Sequence, residues 1–416
     1  MSRLSRRRFL LGSAATVGGG LAAAGSVALA GGASTDTDAP RPDELAERLP
    51  FDGAHQAGIL DQRQGNAVFA SLDSVAPDRA TLSQALSTLS SRARELTKGG
   101  RFPTLEYDAP PADSGTLGTN VLPDSLTVTI GFGASLFDHR YGLGKNRPQR
   151  LTTMPTFPND DLDPAQSHGD LLLQLCAHEK DTVVHALREL VRPVRGALQL
   201  RWTIDGFTGA PRGPSPKSTQ RNLFGFRDGT ANPDVRDRKL MNQLVWVQPG
   251  AGEPAWATGG TYHVVRIIRM HVEFWDRVGL QEQETMIGRS RDSGAPLGGT
   301  NEFQDPRFDL DPRGNRIPLD AHIRKANPRT NATADQRILR RGFSYHRGFD
   351  EAGQLDQGLV FVAFNQDIER QFATIQKRLK DEPMVDYVTP VGGGYFFAPR
   401  GAHGGSDWVG SGLFAA

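Results

Sequence analysis

Gly358-Leu359-Val360-Phe361-Val362-Ala363-Phe364-Asn365 is an apolar run of strand length, closed by a polar residue. A run without alternation marks a strand covered on both faces. Asp367 follows, and Ile368, Phe372, Ile375 and Leu379 then recur at helical spacing, so they line one face of a helix. The same pattern stands earlier, in Asp170-Leu171-Leu172-Leu173-Gln174-Leu175-Cys176-Ala177-His178 and a helix predicted from Asp181 to Val191. Each copy has another strand ahead of it, Leu126–Phe132 in the first and Tyr262–Met270 in the second, and a helical pattern covers Leu82–Leu96. Read twice over, this order predicts an α+β fold of two ferredoxin-like halves, 48–208 and 217–416. The Pro- and Gly-rich stretch Gly209–Pro216 is the expected joint.

The bulk numbers bound the answer. With 416 residues the chain is long enough for two cores. It carries 48 basic and 47 acidic side chains, a net charge of +1, so no nucleic-acid surface is expected. The single cysteine, Cys176, excludes a disulfide framework or a cysteine-rich metal site within one chain, and its strand context reads as core. No H-E-x-x-H spacing supports a metal hydrolase, and His263 and His271, eight apart around an apolar strand, read as structural or surface groups.

Residues 1–30 hold four arginines and no acid, and Ser5-Arg6-Arg7-Arg8-Phe9-Leu10 fits the twin-arginine signal pattern. A weakly apolar Gly/Ala stretch ends in Ala28-Leu29-Ala30, a cleavage pattern; the competing reading is a membrane anchor. Removing the segment takes the charge from +1 to −3. Residues 31–47 read as a disordered spacer. The expectation is export through the twin-arginine machinery, to the periplasm, cell envelope or exterior. That route carries folded proteins and suits one that acquires a cofactor in the cytoplasm.

Three motifs carry candidate chemistry. In Phe224-Gly-Phe-Arg-Asp-Gly-Thr-Ala-Asn-Pro233, Gly225 and Gly229 bracket Asp228 and let the backbone turn to expose its carboxylate; an ordinary Asp-Gly turn is the alternative. Ala321-His322-Ile-Arg324-Lys-Ala-Asn327-Pro328-Arg329 sets one imidazole, a potential iron ligand, among cations; a solvated basic loop is the alternative. Arg324 or Arg329 suits a carboxylate partner. Ile338-Leu-Arg340-Arg341-Gly342-Phe343 reads either as an arginine at a pocket edge or as a strand end. The region Gly288–Arg341 has almost no strand or helix periodicity, which points to a binding region.

Gly225-Phe226-Arg227-Asp228-Gly229 resembles the G-x-x-D-G signature of dye-decolourising (DyP-type) haem peroxidases, and the His322 and Arg340-Arg341-Gly342 motifs follow in that family's order. Phe51-Asp-Gly-Ala-His-Gln-Ala-Gly58 and Gly392-Gly-Gly-Tyr-Phe-Phe-Ala-Pro399 resemble the opening and end of its domain, so the likeness covers about residues 48–403. The nearest subgroup is the twin-arginine-exported one that includes deferrochelatases. The resemblance implies paired ferredoxin-like halves of the dimeric α+β barrel type, with one haem b per chain against the C-terminal half. It implies His322 as the iron ligand and Asp228 with Arg340 as the pair on the opposite face. Arg340 is taken over Arg341 as the first arginine of its motif, a choice that stays open at this level. Gly229, Thr230, Ala231, Arg289, Asn327, Pro328 and Arg329 match the family's other haem contacts, and Asp386 is taken as the carboxylate behind His322.

On this reading Asp228 moves a proton of hydrogen peroxide and Arg340 steadies the charge that develops. A model aspartate titrates near roughly pH 3.9, against roughly 6.5 for histidine, so peroxide reactivity should persist in mild acid. Bulky aromatic or dye reductants cannot enter a haem pocket and need a surface Tyr or Trp; Trp202, Trp246, Trp256, Trp275, Trp408 and the six tyrosines are candidates. Two other readings compete: a haem-handling deferrochelatase, and a binding module without catalysis. A homo-oligomer is compatible with all of them.

Overall fold

The computed structural model describes residues 42–103, 105–213 and 217–415. The twin-arginine segment and the spacer up to residue 41 lie outside the described residues. The last residues of the expected spacer, 42–47, are held against the domain. Pro42–Leu45 forms one helical turn, and the Leu45 and Glu47 carbonyls accept from the Asp124 and Ser125 amides (2.7 and 2.9 Å).

In the first half β1 (Asn66–Ser74), α1 (Arg79–Lys98), β2 (Thr127–Gly133), β3 (Leu171–Ala177), α2 (Lys180–Val191) and β4 (Leu198–Phe207) follow in order. Asp78 caps α1 by accepting from the Thr81 amide at 2.8 Å, and Gly99, at φ +64°, ends it. Leu82, Leu86, Leu89, Ala93 and Leu96 of α1 face the sheet and are fully buried. The strands pair antiparallel in the order β4-β1-β3-β2.

The second half repeats this order. β5 (Thr261–Met270), β7 (Phe343–Phe349), β8 (Leu355–Asn365) and β9 (Val388–Ala398) pair as β9-β5-β8-β7, so each strand has its counterpart. Between β8 and β9 the predicted helix is a π-helical turn, Glu369–Ala373, running into Thr374–Leu379. The halves join edge to edge, β2 to β9 and β4 to β7, which closes an eight-stranded antiparallel barrel and removes every free edge. A two-residue strand, β6 (Leu339–Arg340), adds to β8 just before β7.

Alternation along β5 sorts the side chains. His263, Val265 and Ile267 point into the barrel with Cys176, Phe343, Val360 and Phe364, whereas Tyr262 and Val264 join the outer core. Arg266 and Ile268, on that outer face, border a cavity. Cys176 is a buried thiol that burial pushes up to about 11, which fits a core residue. His263 stacks on Phe364, and burial pushes its imidazole down to about 3, so it is a neutral core group. Asp113, His185 and Glu189 cluster, but Arg92 already neutralises that group at 2.7 Å from Glu189 and 3.4 Å from Asp113.

Candidate active site

The second half carries its insert, residues 271–338, between its first two strands. That stretch, which lacks sequence periodicity, is folded into short helices and turns that roof the outer face of β5 and β8. Beneath the roof lies a cavity of about 270 Å³, floored by Arg266, Ile268, Leu359 and Phe361. The Asp228 loop, the His322 helix and the Arg340 strand end all open onto it.

Gly225 (φ +84°) and Gly229 (φ +92°) take the left-handed conformation on either side of Asp228, as the motif anticipated. Asp228 Oδ1 accepts from Arg340 Nη2 at 2.6 Å. Arg340 also lies over the Phe361 ring at 5.5 Å, and its Nε is buried without a partner. Asn232, four residues beyond Asp228, donates to the Arg340 carbonyl (2.8 Å) and accepts from the Arg340 amide (3.0 Å). One carboxamide thus makes the two-point pairing a neighbouring strand would make, and locks the loop to the arginine. The adjacent arginines part in space, and of the two Arg340 borders the cavity. Arg341 points the other way, into the protein, where it is buried and donates to Gln64 Oε1 at 3.1 Å and to the Asp61 carbonyl.

His322 opens a one-turn helix, His322–Ala326. Gly288, at φ +89°, lets this turn approach closely: a Cβ there would stand 2.8 Å from Ile323 and 3.2 Å from Ala321. Arg378 fixes the other end by donating to the Lys325 and Ala326 carbonyls (2.9 and 3.2 Å). The imidazole Nδ1 meets Glu382 Oε2 at 2.7 Å. Burial alone would lower this imidazole, but the charge and hydrogen bond of Glu382 outweigh it, and the net shift is upward. The carboxylate expected at Asp386 is therefore Glu382, one turn earlier. Glu382 precedes the 3-10 turn Pro383–Tyr387 and is buried, while Asp386 on that turn faces solvent.

Gly229, Thr230, Ala231, Arg289, Asn327 and Arg329 also border the cavity, as expected, whereas Pro328 between the last two does not. Of the two arginines offered for a carboxylate, Arg329 reaches the cavity; Arg324 is tied to Asp311 (3.2 Å) and the Ile317 carbonyl (2.9 Å). Sequence reasoning missed Arg337, a wall arginine lowered by burial and by the neighbouring Arg329. It also missed Glu382 and Asn232. Asn232 lies inside the quoted motif, so its polarity was the one available signal.

The donor set fits a porphyrin dicarboxylate with a central metal. His322 Nε2 is the ring nitrogen left free once Nδ1 is engaged. Arg329 repels both Arg289 and Arg337 in a partly buried wall, and burial pushes Arg289 down to about 10. Asp228 and Glu382, the acids bordering the cavity, are already committed to Arg340 and His322, and the acids that reach the wall arginines, Asp305 at 3.6 Å from Arg329 and Glu302 near Arg289, lie outside its lining, so the wall can still take a carboxylate from within the cavity.

Comparison with known proteins gives a consistent picture. Residues 56–208 match the family model "Dyp-type peroxidase, N-terminal", and residues 219–403 match "Dyp-type peroxidase, C-terminal". The chain is 47% identical over 414 residues to a deferrochelatase of Escherichia coli K12, covering 98% of this chain and 96% of that one. It is 45% identical over 413 residues to a deferrochelatase of Yersinia pestis, covering 99% and 95%. Among solved structures, ferric DtpA from Streptomyces lividans superposes with a TM-score of 0.81 at 34% identity, covering 91% of this chain and all of that one (100%). A DyP-type peroxidase from Cellulomonas bogoriensis gives 0.79 at 35% identity, covering 90% and 99%.

Proposed function

We propose, because this chain belongs to the Dyp-type peroxidase family and is a haem-dependent peroxidase, that Asp228 and Arg340 act on hydrogen peroxide in a cavity where His322 would hold the iron of a single haem b. The observation that carries the reading is the pairing of two contacts on one cavity, Asp228–Arg340 and His322–Glu382. The haem, when bound, supplies an iron that takes up hydrogen peroxide and a ring that stores oxidising equivalents. His322 would be its ligand, and Arg289, Arg329 and Arg337 would hold its carboxylates.

Arg340 occupies Asp228 Oδ1, so Oδ2 is the oxygen free to move a proton. It takes the proton from one peroxide oxygen and returns it to the other, which leaves as water. Arg340, always cationic, steadies negative charge on that oxygen as the bond breaks. Asn232 sets the arginine at the distance this needs. Replacing Asn232 with Ala is expected to slow the peroxide step roughly ten- to a hundredfold, since small misplacements cost that much. Haem content and the resting absorption spectrum should not change. An N232A rate equal to that of the native enzyme would remove Asn232 from this role.

For electron donors too large to enter, an aromatic line supports oxidation at a distance. Phe226 borders the cavity, Trp275 meets it edge-on at 6.1 Å, Tyr387 meets Trp275 at 5.1 Å, and Phe274, half exposed, stacks on Tyr387 at 4.9 Å. This line favours Trp275 and Tyr387 among the candidates. Trp275→Phe should lower decolourisation of a bulky anthraquinone dye severalfold and leave the peroxide step intact; equal dye turnover would reject the route.

The relatives named deferrochelatase support a second reading, release of iron from haem. Purified chain given haem and a reductant, without peroxide or dye, distinguishes the two: fluorescence of metal-free porphyrin favours iron release. The test of the main reading is an absorption titration, with one haem per chain and a Soret band that shifts on one equivalent of peroxide. The Ser5–Leu10 motif supports export by the twin-arginine machinery.

A further inference from the structure

The Asp228–Arg340 pair is not held by the second half alone. The loop Gly58–Gln64 of the first half reaches the break between β6 and β7, where Arg340, Arg341 and Gly342 follow one another. Arg63 Nη1 donates to the Gly342 carbonyl at 2.6 Å, and its guanidinium lies over the Phe343 ring at 5.8 Å. Arg341 is gripped by the same loop through Gln64 Oε1 and the Asp61 carbonyl, and Gln64 is anchored on the Ser125 carbonyl at 2.7 Å. The Asp61 carboxylate is engaged within its own loop, accepting from the Gly58 amide at 2.7 Å.

Arg63 makes no ion pair among the described residues, although it is half-buried and stands beside two other guanidiniums. Burial above all pushes it down to about 10, with Asp228 opposing and Arg341 and Arg340 adding to the fall, so it remains a cation at working pH. A desolvated cation with no partner is expensive to keep. The strongest favourable charge it meets is Asp228. The Asp228 charge meets Arg340 at 2.6 Å and also acts on Arg63 from the first half and, across the cavity, on His322.

We propose that Arg63 is a positioning residue for the peroxide-side pair: it fixes the Gly342 turn that aims Arg340, and it brings a second cation to the Asp228 side of the cavity. The inference rests on Asp228 acting as proposed above. It also gives the first half, which already brings Asn159 to the cavity and Asp160 to Arg266 on its floor, a part in the chemistry.

The two roles separate in the holoenzyme with R63Q, which keeps a donor for Gly342 but no charge, and R63K, which keeps the charge without the guanidinium fork. The peroxide step is followed by stopped flow from acid to neutral pH. Cyanide affinity is titrated by absorbance over the same range, an equilibrium readout without turnover. A cation beside a carboxylate favours its charged form, so losing the charge should move the acid limb upward. For R63Q an upward shift of the acid limb by about one pH unit is expected in both measurements, with the neutral-pH rate retained. For R63K the acid limb should stay in place while the neutral-pH rate falls severalfold. Acid limbs for R63Q that coincide with the native enzyme in both measurements overturn the proposal. If either variant fails to load haem, R63M read against D228N in cyanide affinity alone decides it, an unshifted limb again overturning it. A D228N enzyme with native peroxide kinetics would sink the reading of Asp228 itself, a separate failure.

Discussion

Asp228→Asn is expected to slow the reaction with hydrogen peroxide by about 10²- to 10⁴-fold, the span that a positioned proton-transfer group contributes. The substitution keeps the shape of the loop and an oxygen for Arg340 Nη2, so haem content should be unchanged. What is lost is the one oxygen that can both take and give back a proton. Arg340→Leu should be comparably slow for a different reason, the missing cation, and the double variant should be little worse than either single one because both serve one bond-breaking event. Stopped-flow measurement of the Soret change against peroxide concentration reads all three. A D228N rate within threefold of native would leave Asp228 as a turn residue and return the binding-module reading. With an aspartate as the base, the native rate should also hold between pH 7 and 5; a loss there would point to a histidine in that role.

The second large effect concerns Glu382. Carboxylates behind a metal-bound imidazole contribute about 10- to 100-fold in metal affinity, and Glu382→Gln is expected to weaken haem retention by that factor. Transfer of haem to apomyoglobin measures it. The direction with pH follows from His322, whose imidazole Glu382 raises above its ordinary value against the effect of burial. In the haem-free protein the His322–Glu382 ion pair contributes stability fully below the ordinary histidine range, and this is lost as pH rises through the raised value. Iron competes with that proton, so haem affinity of the native chain should fall as pH falls through the same value. In E382Q the fall should begin at lower pH. Haem transfer rates that are identical for native and E382Q chains at every pH would assign the second carboxylate elsewhere. Asp386→Asn should change nothing, because Asp386 faces solvent.

The reading of Gly358–Asn365 as a strand covered on both faces succeeded because the barrel interior lies on one side and the outer core and cavity lie on the other. β1 and β4 were not singled out because Ser71, Asp73, Arg201 and Thr203 interrupt their apolar residues, and pairing across the sheet overrides that local pattern. The insert looked structureless because its helices are one or two turns long and are held by side-chain contacts, among them Arg324 with Asp311 and Arg378 with the Lys325 carbonyl. Such contacts have no period to detect.

By itself the sequence determined the duplicated α+β plan, the left-handed glycines around Asp228 and the presence of an imidazole set among cations. Those are local properties, fixed by which side chains alternate and which backbone angles a residue tolerates. The tertiary structure alone decided that Arg340 faces the cavity while Arg341 faces the barrel, that Glu382 and not Asp386 backs His322, and that Arg63 arrives from the other half. Neighbours along a strand point to opposite faces, and Glu382 stands in extended backbone ahead of the turn that carries Asp386 to solvent. Partners separated by 60 to 280 residues meet only once the barrel has closed.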